Sequence, residues 1–165
     1  MKEADLYPPI QKFFKEKGYT VQGEVKDCDM ALLREEELIL IELKLRFNLE
    51  LIFQAIDRQT ISDSVFIALP RTAVKPNSKR YRNVMQLIRR LDLGLILVAL
   101  DSPLQHVEIV RIPSKTTRQT KRGARREQEI LNEIDARRFT LAVGGVTGEK
   151  IPTAYREDAI RILCT

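Results

Sequence analysis

The segment ELILIELKL, residues 37–45, is an apolar run that contains two internal charges, Glu42 and Lys44. Its length and its Leu and Ile content are typical of a buried β-strand. A charged side chain in such a strand is unfavourable unless it is paired, hydrogen-bonded or bound to a metal. Because side chains alternate between the two faces of a strand, Glu42 and Lys44 point the same way. The segment therefore predicts a buried strand with a functional site on one face.

Size and composition are those of an ordinary globular protein. The 165 residues are enough for one domain with a hydrophobic core. No apolar run approaches the ~20 residues that span a bilayer, and the N-terminus lacks a signal-peptide core. Cys28 and Cys164 lie far apart without CxxC spacing, which disfavours structural zinc and disulfides and fits a reducing cytoplasm. We therefore expect a cytoplasmic protein that does not bind membranes.

Charge is distributed unevenly along the chain. Residues 1–60 hold nine Lys/Arg and twelve Asp/Glu, net −3, and the remainder holds nineteen and eleven, net +8. Two runs without acids, residues 64–91 and 112–126, carry most of the latter bases. An acidic N-terminal part joined to basic segments suits a metal-dependent nucleic-acid enzyme. Solvated loops with no partner would show the same charges, and charge alone does not decide between the two.

Hydrophobic periodicity and turn residues predict an alternation of helices and strands. The predicted elements are a helix within 3–17, strands at 19–25, 30–34 and 37–45, a helix at 49–61, a strand at 64–70, a basic loop at 71–83, a helix at 84–93, strands at 94–100 and 107–113, and helices at 123–138 and from Thr153. In the helix at 49–61, the apolar stripe consists of Leu49, Ile52, Phe53 and Ile56. This order indicates an α/β fold with a mixed sheet flanked by helices.

Two aspartates precede the charged strand, and the chain has only one histidine to compete with them for catalysis. Asp27 and Asp29 share a strand face, and a hairpin with the next strand would bring Asp29 close to Glu42. Adjacent carboxylates repel each other and favour a hard divalent cation such as Mg2+. Such an ion lowers the pKa of a bound water, which Lys44 can orient. The alternative is an ion pair at a sheet edge with little effect on stability.

This pattern resembles the PD-(D/E)XK phosphodiesterase superfamily, with Asp29 as the motif aspartate and Glu42-Leu43-Lys44 as the (D/E)XK triplet. The segments LYPPIQKFFKEKGYTVQGEVKDCD, IELKLRFNLELIFQAIDRQ and VFIALP resemble, more narrowly, a bacterial family of unknown function described as a PD-(D/E)XK-type phosphodiesterase. The close resemblance covers about residues 1–70, and a looser one includes the basic loop and TAYREDAIRIL. It implies a restriction-endonuclease-like core (αβββαβ) with a mixed central sheet flanked by helices.

The resemblance implies further site residues. Many superfamily members carry a glutamate on the first helix beside the metal, and Glu3 is a better candidate than Glu16 or Glu24. Members also use polar residues on the helix after the third strand, here Gln54 and Arg58. These two lie four apart and so share a helical face, where they can contact a phosphate or brace the motif lysine. A solvent-facing pair is the alternative interpretation.

Cys28 stands where the superfamily often has a proline, directly before the motif aspartate. We expect its side chain to point to the opposite, buried face, as free cysteines often do. We also expect residues 1–113 to form the nuclease-like core. Residues 114–165 would then form a basic segment with C-terminal helices, as the start of a small helical extension.

The sequence thus predicts a nuclease that uses Mg2+ or Mn2+ to hydrolyse DNA or RNA, with DNA favoured. Candidate catalytic residues are Asp29, Glu42, Lys44 and Gln54, candidate metal ligands are Asp29, Glu42 and Glu3, and candidate nucleic-acid-binding residues are Arg58, Arg71, Lys75, Lys79, Arg80, Arg82, Arg122 and Arg125. With four Tyr, six Phe and no Trp, a stacking platform is not evident, which favours duplex or structured substrates. A homodimer is left open. The alternatives are a non-catalytic nucleic-acid-binding module with a nuclease fold and an interaction domain whose charges are structural.

Overall fold

The computed structural model describes residues 1–114 and 121–137. A short 3-10 helix at Glu3–Leu6 leads directly into the first α-helix. The elements that follow are α1 (Tyr7–Lys15), β1 (Thr20–Val25), β2 (Cys28–Arg34), β3 (Glu37–Leu43), α2 (Leu49–Arg58), β4 (Ser64–Pro70), a 3-10 turn (Arg71–Ala73), α3 (Lys79–Leu91), β5 (Gly94–Val98), β6 (Val107–Arg111) and α4 (Lys121–Ala136).

Within the described ranges, six strands form one mixed sheet in the order β1-β2-β3-β4-β5-β6. The first three strands are antiparallel neighbours, β3, β4 and β5 are parallel, and β6 is antiparallel to β5. The parallel pairs need long connections, which α2 and α3 provide. The predicted α/β fold with a mixed sheet flanked by helices is confirmed, and it is consistent with a restriction-endonuclease-like core.

Both faces of the sheet are covered by helices. Against one face α1 contributes Ile10 and Phe14 to a core cluster that also contains side chains of β2 and β3. Against the other face α2, α3 and α4 contribute Leu51, Ile88 and Ile130 to a second core cluster. Burial on both faces explains why β3 and β4 are almost continuously apolar rather than alternating.

Tight hairpins fix the register of the first three strands. Lys26 and Asp27 form the turn between β1 and β2 with φ values of 47° and 67°, as a type I′ turn requires at both central positions. In the next hairpin Met30 is paired with Ile41. A slip of one residue would exchange the faces of a strand, so these turns determine which side chains meet on each face.

The boundaries of α3 and β3 differ from the prediction. Residues 79–83, predicted as part of a basic loop, form the first turns of α3. They do so because the hydroxyl of Ser78 accepts a hydrogen bond from the N–H of Tyr81 at 3.0 Å and caps the helix. The bases of this stretch therefore lie on a helix. In addition, β3 ends at Leu43, so Lys44 follows the strand instead of lying within it.

The apolar stripe predicted for α2 is mostly turned to solvent. Of its residues only Ile52 is buried, whereas Leu49, Phe53 and Ile56 are 69%, 66% and 39% exposed. The helix instead buries Leu51, Ile52, Ala55 and Arg58. This rotation follows from Arg58, which reaches a buried acid on β3, as described below.

Cys28 is buried, as predicted, but on the face that was not expected. It packs in the core cluster of α2 and α3, together with Val25. Glu24 has a φ of 50°, and this left-handed residue interrupts the alternation of side chains at the end of the first hairpin. Burial raises the pKa of the Cys28 thiol to about 12, close to the charges of Arg58 and Glu42.

The helix α4 packs on the same core as the sheet. Ile130 and Ile134 are buried in the second cluster. Arg137 donates hydrogen bonds to the carbonyl oxygens of Gly23 at 2.8 Å and Glu24 at 3.1 Å. These contacts hold the end of α4 against β1.

Two further expectations concern the C-terminal part. The helix predicted from Thr153 lies outside the described residues, and the division of the chain at residue 113 stays a prediction. None of the described helices combines the length and the apolar character needed to cross a membrane.

Candidate active site

Asp29 and Glu42 lie side by side on the face of the sheet that packs against α2. Because Met30 is opposite Ile41, the next residues along the two strands, Asp29 and Glu42, are opposite each other as well. Their carboxyl groups are close enough for each to influence the pKa of the other. Oδ2 of Asp29 also accepts a hydrogen bond from the N–H of Leu43 at 2.8 Å. The structure thus brings the two predicted carboxyl groups together.

The surroundings of this pair disfavour its charged form. Glu42 is 1% exposed, and burial, followed by the adjacent charge of Asp29, raises its pKa to about 7. Burial also raises the pKa of Asp29, although the N–H of Leu43 and the charge of Lys44 oppose the shift. A cation bound here would offset both the burial and the mutual repulsion of the two acids.

Arg58 is the cation that the protein itself supplies. Its Nε donates a hydrogen bond to Oε1 of Glu42 at 2.6 Å, and its side chain is 7% exposed. Nη1 donates to Oδ2 of Asp57 at 2.8 Å, and Nη2 donates to the carbonyl oxygen of Asp27. All three guanidinium nitrogens are therefore engaged. The predicted contact with a phosphate stays a prediction, and in the structure this face of α2 packs on β3.

Asp57 and Arg126 extend the ion network to α4. Oδ2 of Asp57 accepts hydrogen bonds from Arg58 and, at 3.0 Å, from Nη1 of Arg126. Arg126 belongs to the second basic run, whose members were expected to bind phosphates. Its contact with Asp57 gives it a structural partner, so α4 is linked through α2 to the carboxylate pair.

Lys44 lies at the edge of the site, directly after β3. Its N–H donates a hydrogen bond to the carbonyl oxygen of Ala68 on β4 at 3.1 Å, so the sheet fixes its backbone. Its Nζ lies 3.6 Å from Oε2 of Glu3, and its side chain is 18% exposed. Glu3 therefore contacts the motif lysine, whereas the sequence predicted it as a metal ligand.

The structure brings together two of the three predicted metal ligands. Across residues 1–114 and 121–137, no group of three or more His, Cys, Asp or Glu side chains is arranged to hold a metal ion. Glu3 is thus not part of such a group with Asp29 and Glu42. Two carboxylates still suit Mg2+, which commonly binds through one or two carboxylates and keeps several waters.

Gln54 lies one helical turn before Arg58 on α2. Its Oε1 is buried and has no hydrogen-bond partner within the described part of the protein. A buried acceptor without a donor is unfavourable, so this atom marks a place for a water or another donor. Its catalytic role stays a prediction. The weaker candidates, Glu16 and Glu24, are likewise outside any metal-binding group of the described residues.

The remaining predicted nucleic-acid-binding residues are all exposed: Arg71, Lys75, Lys79, Arg80, Arg82, Arg122 and Arg125. Arg80 donates a hydrogen bond to the carbonyl oxygen of Phe47 at 3.2 Å, which places it beside the loop that follows Lys44. Arg125 pairs with Glu129 on α4 at 3.2 Å. The bases of residues 115–120 lie outside the described residues.

Sequence reasoning missed the role of Arg58 as the buried partner of Glu42. The spacing of Gln54 and Arg58 indicated a common face, but not whether this face contacts the sheet or the solvent. A signal was present in Leu51 and Ala55, which lie seven and three residues before Arg58 and predict a second apolar stripe. That stripe is weaker than the exposed one, because it contains the smaller side chains.

A family model matches the C-terminal part of the chain. The family is described as "Putative PD-(D/E)XK phosphodiesterase (DUF2161)", and the match covers residues 96–165. These residues begin in β5 and do not include the carboxylate pair, whereas the motifs that predicted this family lie in about residues 1–70. Curated proteins and solved structures give no match.

The matched family is the one that the motifs predicted. Proteins with the PD-(D/E)XK motif generally use divalent metal ions. The likeness supports hydrolysis of phosphodiester bonds as the class of activity. By its fold, by the motif residues on β2 and β3 and by this match, the chain is similar to the PD-(D/E)XK phosphodiesterases.

Proposed function

We propose that this protein is a metal-dependent nuclease that hydrolyses phosphodiester bonds in DNA or RNA, with DNA favoured. The carrying observation is that Asp29 and Glu42 lie opposite each other on β2 and β3, where the pKa values of both acids are raised. A buried acid pair does not help a protein to fold, because each charge opposes the other. Such pairs are therefore expected where the chemistry of the protein needs them.

The residues present fit a divalent cation. Asp29 and Glu42 would hold it, since hard oxygen ligands are those that Mg2+ and Mn2+ prefer. The N–H of Leu43 and the Nε of Arg58 use only one oxygen of each carboxylate, Oδ2 and Oε1 respectively. Gln54 lies one helical turn before Arg58, and its buried Oε1, which has no donor among the described residues, can accept a hydrogen bond from a water. When bound, the ion would polarise a phosphate and lower the pKa of a water.

Three further residues, Lys44, Glu3 and Arg58, would orient the reacting groups or stabilise their charges. Lys44 would orient the attacking water or stabilise the charge that develops on the phosphate. Glu3 would hold the ammonium group of Lys44 at the edge of the site, in keeping with their distance of 3.6 Å. Arg58 would favour the ionised form of Glu42 and fix its rotamer, which a ligand carboxylate requires.

The exposed bases support binding of the nucleic-acid backbone. The carboxyl ends of β3 and β4 lie at the same edge of the sheet, because these strands are parallel neighbours. Arg71 and Lys75 follow β4 at the edge from which Lys44 emerges, and Arg80 contacts the loop after it. Contacts to phosphates carry no sequence information, so we expect little base preference.

Incubation with plasmid, single-stranded and structured DNA in Mg2+, Mn2+ or EDTA tests the proposal. We expect cleavage with either metal and none in EDTA. Glu42→Gln and Lys44→Ala should each reduce the cleavage rate by about 100-fold or more while nucleic-acid binding is retained. Glu50→Gln and Lys12→Ala change exposed residues of α2 and α1 and serve as matched controls.

Two results would contradict the nuclease proposal. One is cleavage that survives in both Glu42→Gln and Lys44→Ala, which would indicate a contaminating nuclease or a different site. The other is the absence of any metal-dependent cleavage by the wild-type protein on all substrates.

A non-catalytic nucleic-acid-binding module is the second candidate. The ion pair between Arg58 and Glu42, at 2.6 Å, favours it, since an internal cation already neutralises one acid of the pair. Salt-sensitive binding without cleavage would support this candidate. Absence of both binding and cleavage would leave a plain interaction domain.

The remaining expectations are part of the same proposal. We propose that the protein acts in the cytoplasm, that residues 1–113 form the catalytic core, and that residues 114–165 extend it. A homodimer stays open, and sedimentation analysis at several protein concentrations would decide it.

A further inference from the structure

A cleft lies between the beginning of α2 and the first half of α3. Its volume is about 530 Å³, which is within the range of sites that hold small molecules or one unit of a polymer. The lining consists of apolar side chains, two amides and two cations, and includes Phe47, Leu49, Leu87, Asn83, Lys79 and Arg80.

The apolar surface at this cleft is unusually exposed. Leu49 and Leu87, which line it, are 69% and 37% exposed. Seven large hydrophobic side chains are exposed among the described residues, and four of them lie on α2 and α3: these two, Phe53 and Ile56. Exposed apolar side chains that cluster in this way mark binding sites more often than isolated ones do.

The charges at the cleft select an anionic ligand. From Lys79 to Leu91, α3 contains five bases and no acid. Arg80 is held in place by the carbonyl oxygen of Phe47 at 3.2 Å. The cleft therefore places fixed positive charge directly beside apolar surface.

The cleft is also close to the candidate active site. Phe47 follows Lys44 by three residues, and consecutive Cα atoms are 3.8 Å apart, so their Cα atoms are separated by at most about 11 Å. Successive phosphates of one DNA strand are spaced by about 3.4 Å along a duplex. A strand whose phosphate lies at Lys44 can therefore reach the cleft within a few nucleotides.

We propose that this cleft binds one unpaired nucleotide of the strand that is cleaved. Its base would lie on Leu49 and Leu87, and its phosphate would contact Lys79 and Arg80. The inference rests on the proposed nuclease function and names its substrate class, a nucleic acid with an unpaired segment next to the scissile bond. Unstacked bases are commonly held between apolar or aromatic side chains.

An intact duplex does not fit this cleft. Its surface presents phosphates and the edges of base pairs, whereas the faces of the bases are stacked inside. The scarcity of aromatic residues favoured duplex substrates at the level of sequence. The aliphatic surface that the rotation of α2 exposes reverses this preference. An acidic amphipathic segment of another protein has similar chemistry, but the closeness of Lys44 favours the strand that is cleaved.

Binding measured by fluorescence anisotropy in EDTA tests the inference without turnover. The probes are a labelled single-stranded DNA of about 12 nucleotides and a blunt duplex of the same length. The double variant Leu49→Ala/Leu87→Ala removes exposed side chains of the cleft. Ile56→Ala is the control, since Ile56 is similarly exposed on α2 (39%) but does not line the cleft.

We expect the wild-type protein to bind the single strand more tightly than the duplex. The double variant should weaken single-strand binding by about tenfold and leave duplex binding and the thermal midpoint of unfolding unchanged. Ile56→Ala should leave the binding of both probes unchanged. Equal losses for the two probes, or no loss for either, would overturn the inference. A synthetic Leu/Glu amphipathic helix provides a further test. If this peptide binds the wild-type cleft and the double variant still binds single strands normally, the cleft is a protein-docking surface and the nucleotide inference is overturned.

Failure of this inference is distinguishable from failure of the nuclease proposal. Metal-dependent cleavage with no effect of the double variant on binding would remove only the nucleotide cleft. Cleft-dependent binding of single strands with no cleavage in any metal would remove the nuclease proposal and leave the cleft as a binding site for an unpaired nucleotide.

Discussion

Glu42 and Asp92 are both acids bound by an arginine, yet their surroundings act on them in opposite directions. Burial and the neighbouring Asp29 raise the pKa of Glu42 to about 7. Burial acts in the same sense on Asp92, but the N–H of Ser114 at 2.9 Å and the guanidinium of Arg111 at 3.1 Å outweigh it. The pKa of Asp92 is therefore lowered.

The difference separates an ion pair that stabilises the fold from one for which we propose a function. An acid whose pKa is lowered by folding stabilises the folded protein at neutral pH, whereas an acid whose pKa is raised opposes folding there. Asp92 ends α3 with a φ of 53° and joins it to β6 through Arg111, so stability alone explains it. Stability does not explain why a second acid lies beside Glu42, whereas the proposed metal-binding role would.

The largest expected effect on stability follows from the loss of Arg58. We expect Arg58→Met to lower the free energy of unfolding by about 3 kcal/mol, because Glu42 then stays buried without its cation. Arg111→Met should lower it by only about 1 kcal/mol, since the pair with Asp92 is more accessible to water. Urea unfolding of both variants at pH 7 provides the comparison. Equal losses would contradict the distinction between the two sites.

Replacement of Asp29 should separate activity from stability. We expect Asp29→Asn to reduce metal-dependent cleavage by about 100-fold. Its free energy of unfolding should be unchanged or higher, because the repulsion with Glu42 is gone. Asp92→Asn should have the opposite effects: cleavage should be normal, and the free energy of unfolding should fall by about 1–2 kcal/mol. A strongly destabilised Asp29→Asn with normal cleavage would make this acid structural.

Because folding lowers the pKa of Asp92, this residue should make the protein more stable at neutral than at acidic pH. Because the pKa of Asp92 is lower in the folded than in the unfolded protein, its contribution is present above its ordinary pKa of about 3.9 and is lost as the pH falls through the folded value. Thermal unfolding of wild type and Asp92→Asn should therefore differ at pH 6 and converge in acid. A difference that grows as the pH falls would contradict the assigned direction.

The smallest effect concerns the exposed bases of α3. Arg80→Ala/Arg82→Ala should weaken DNA binding for all sequences and reduce the slope of log affinity against log salt by about 2, because each phosphate contact contributes about 0.9. Arg89→Ala/Arg90→Ala, at the other end of the same helix, is the matched control. An unchanged slope in Arg80→Ala/Arg82→Ala would remove the start of α3 from the nucleic-acid interface.

Much of the fold followed from local pattern. The continuous apolar runs of β3 and β4 and the turn residues between elements are short-range signals, and the parity of Asp29 and Glu42 was enough to bring the two acids together. The orientation of α2 could not be predicted from such short-range signals. Its more apolar stripe is exposed, because the tertiary pairing of Arg58 with Glu42 across 16 residues determines which face is buried.

The remaining differences between the prediction and the structure have local causes that the pattern of apolar residues does not reveal. The cap by Ser78 starts α3 early, and the first hairpin, in which Cys28 lies on the other face, contains positive φ values at Glu24, Lys26 and Asp27. The contact of Glu3 with Lys44 depends on how the N-terminal 3-10 helix packs on the end of β3. None of these follows from hydrophobic periodicity.

Titration calorimetry with Mn2+ and Mg2+, in the absence of nucleic acid, tests the Asp29–Glu42 pair most directly. We predict that the wild-type protein binds a divalent ion and that Asp29→Asn and Glu42→Gln each weaken this binding by at least about tenfold, while Asp92→Asn binds as the wild type does. A wild-type protein that binds no divalent ion, or a Glu42→Gln variant that binds it with unchanged affinity, would contradict the proposed metal site.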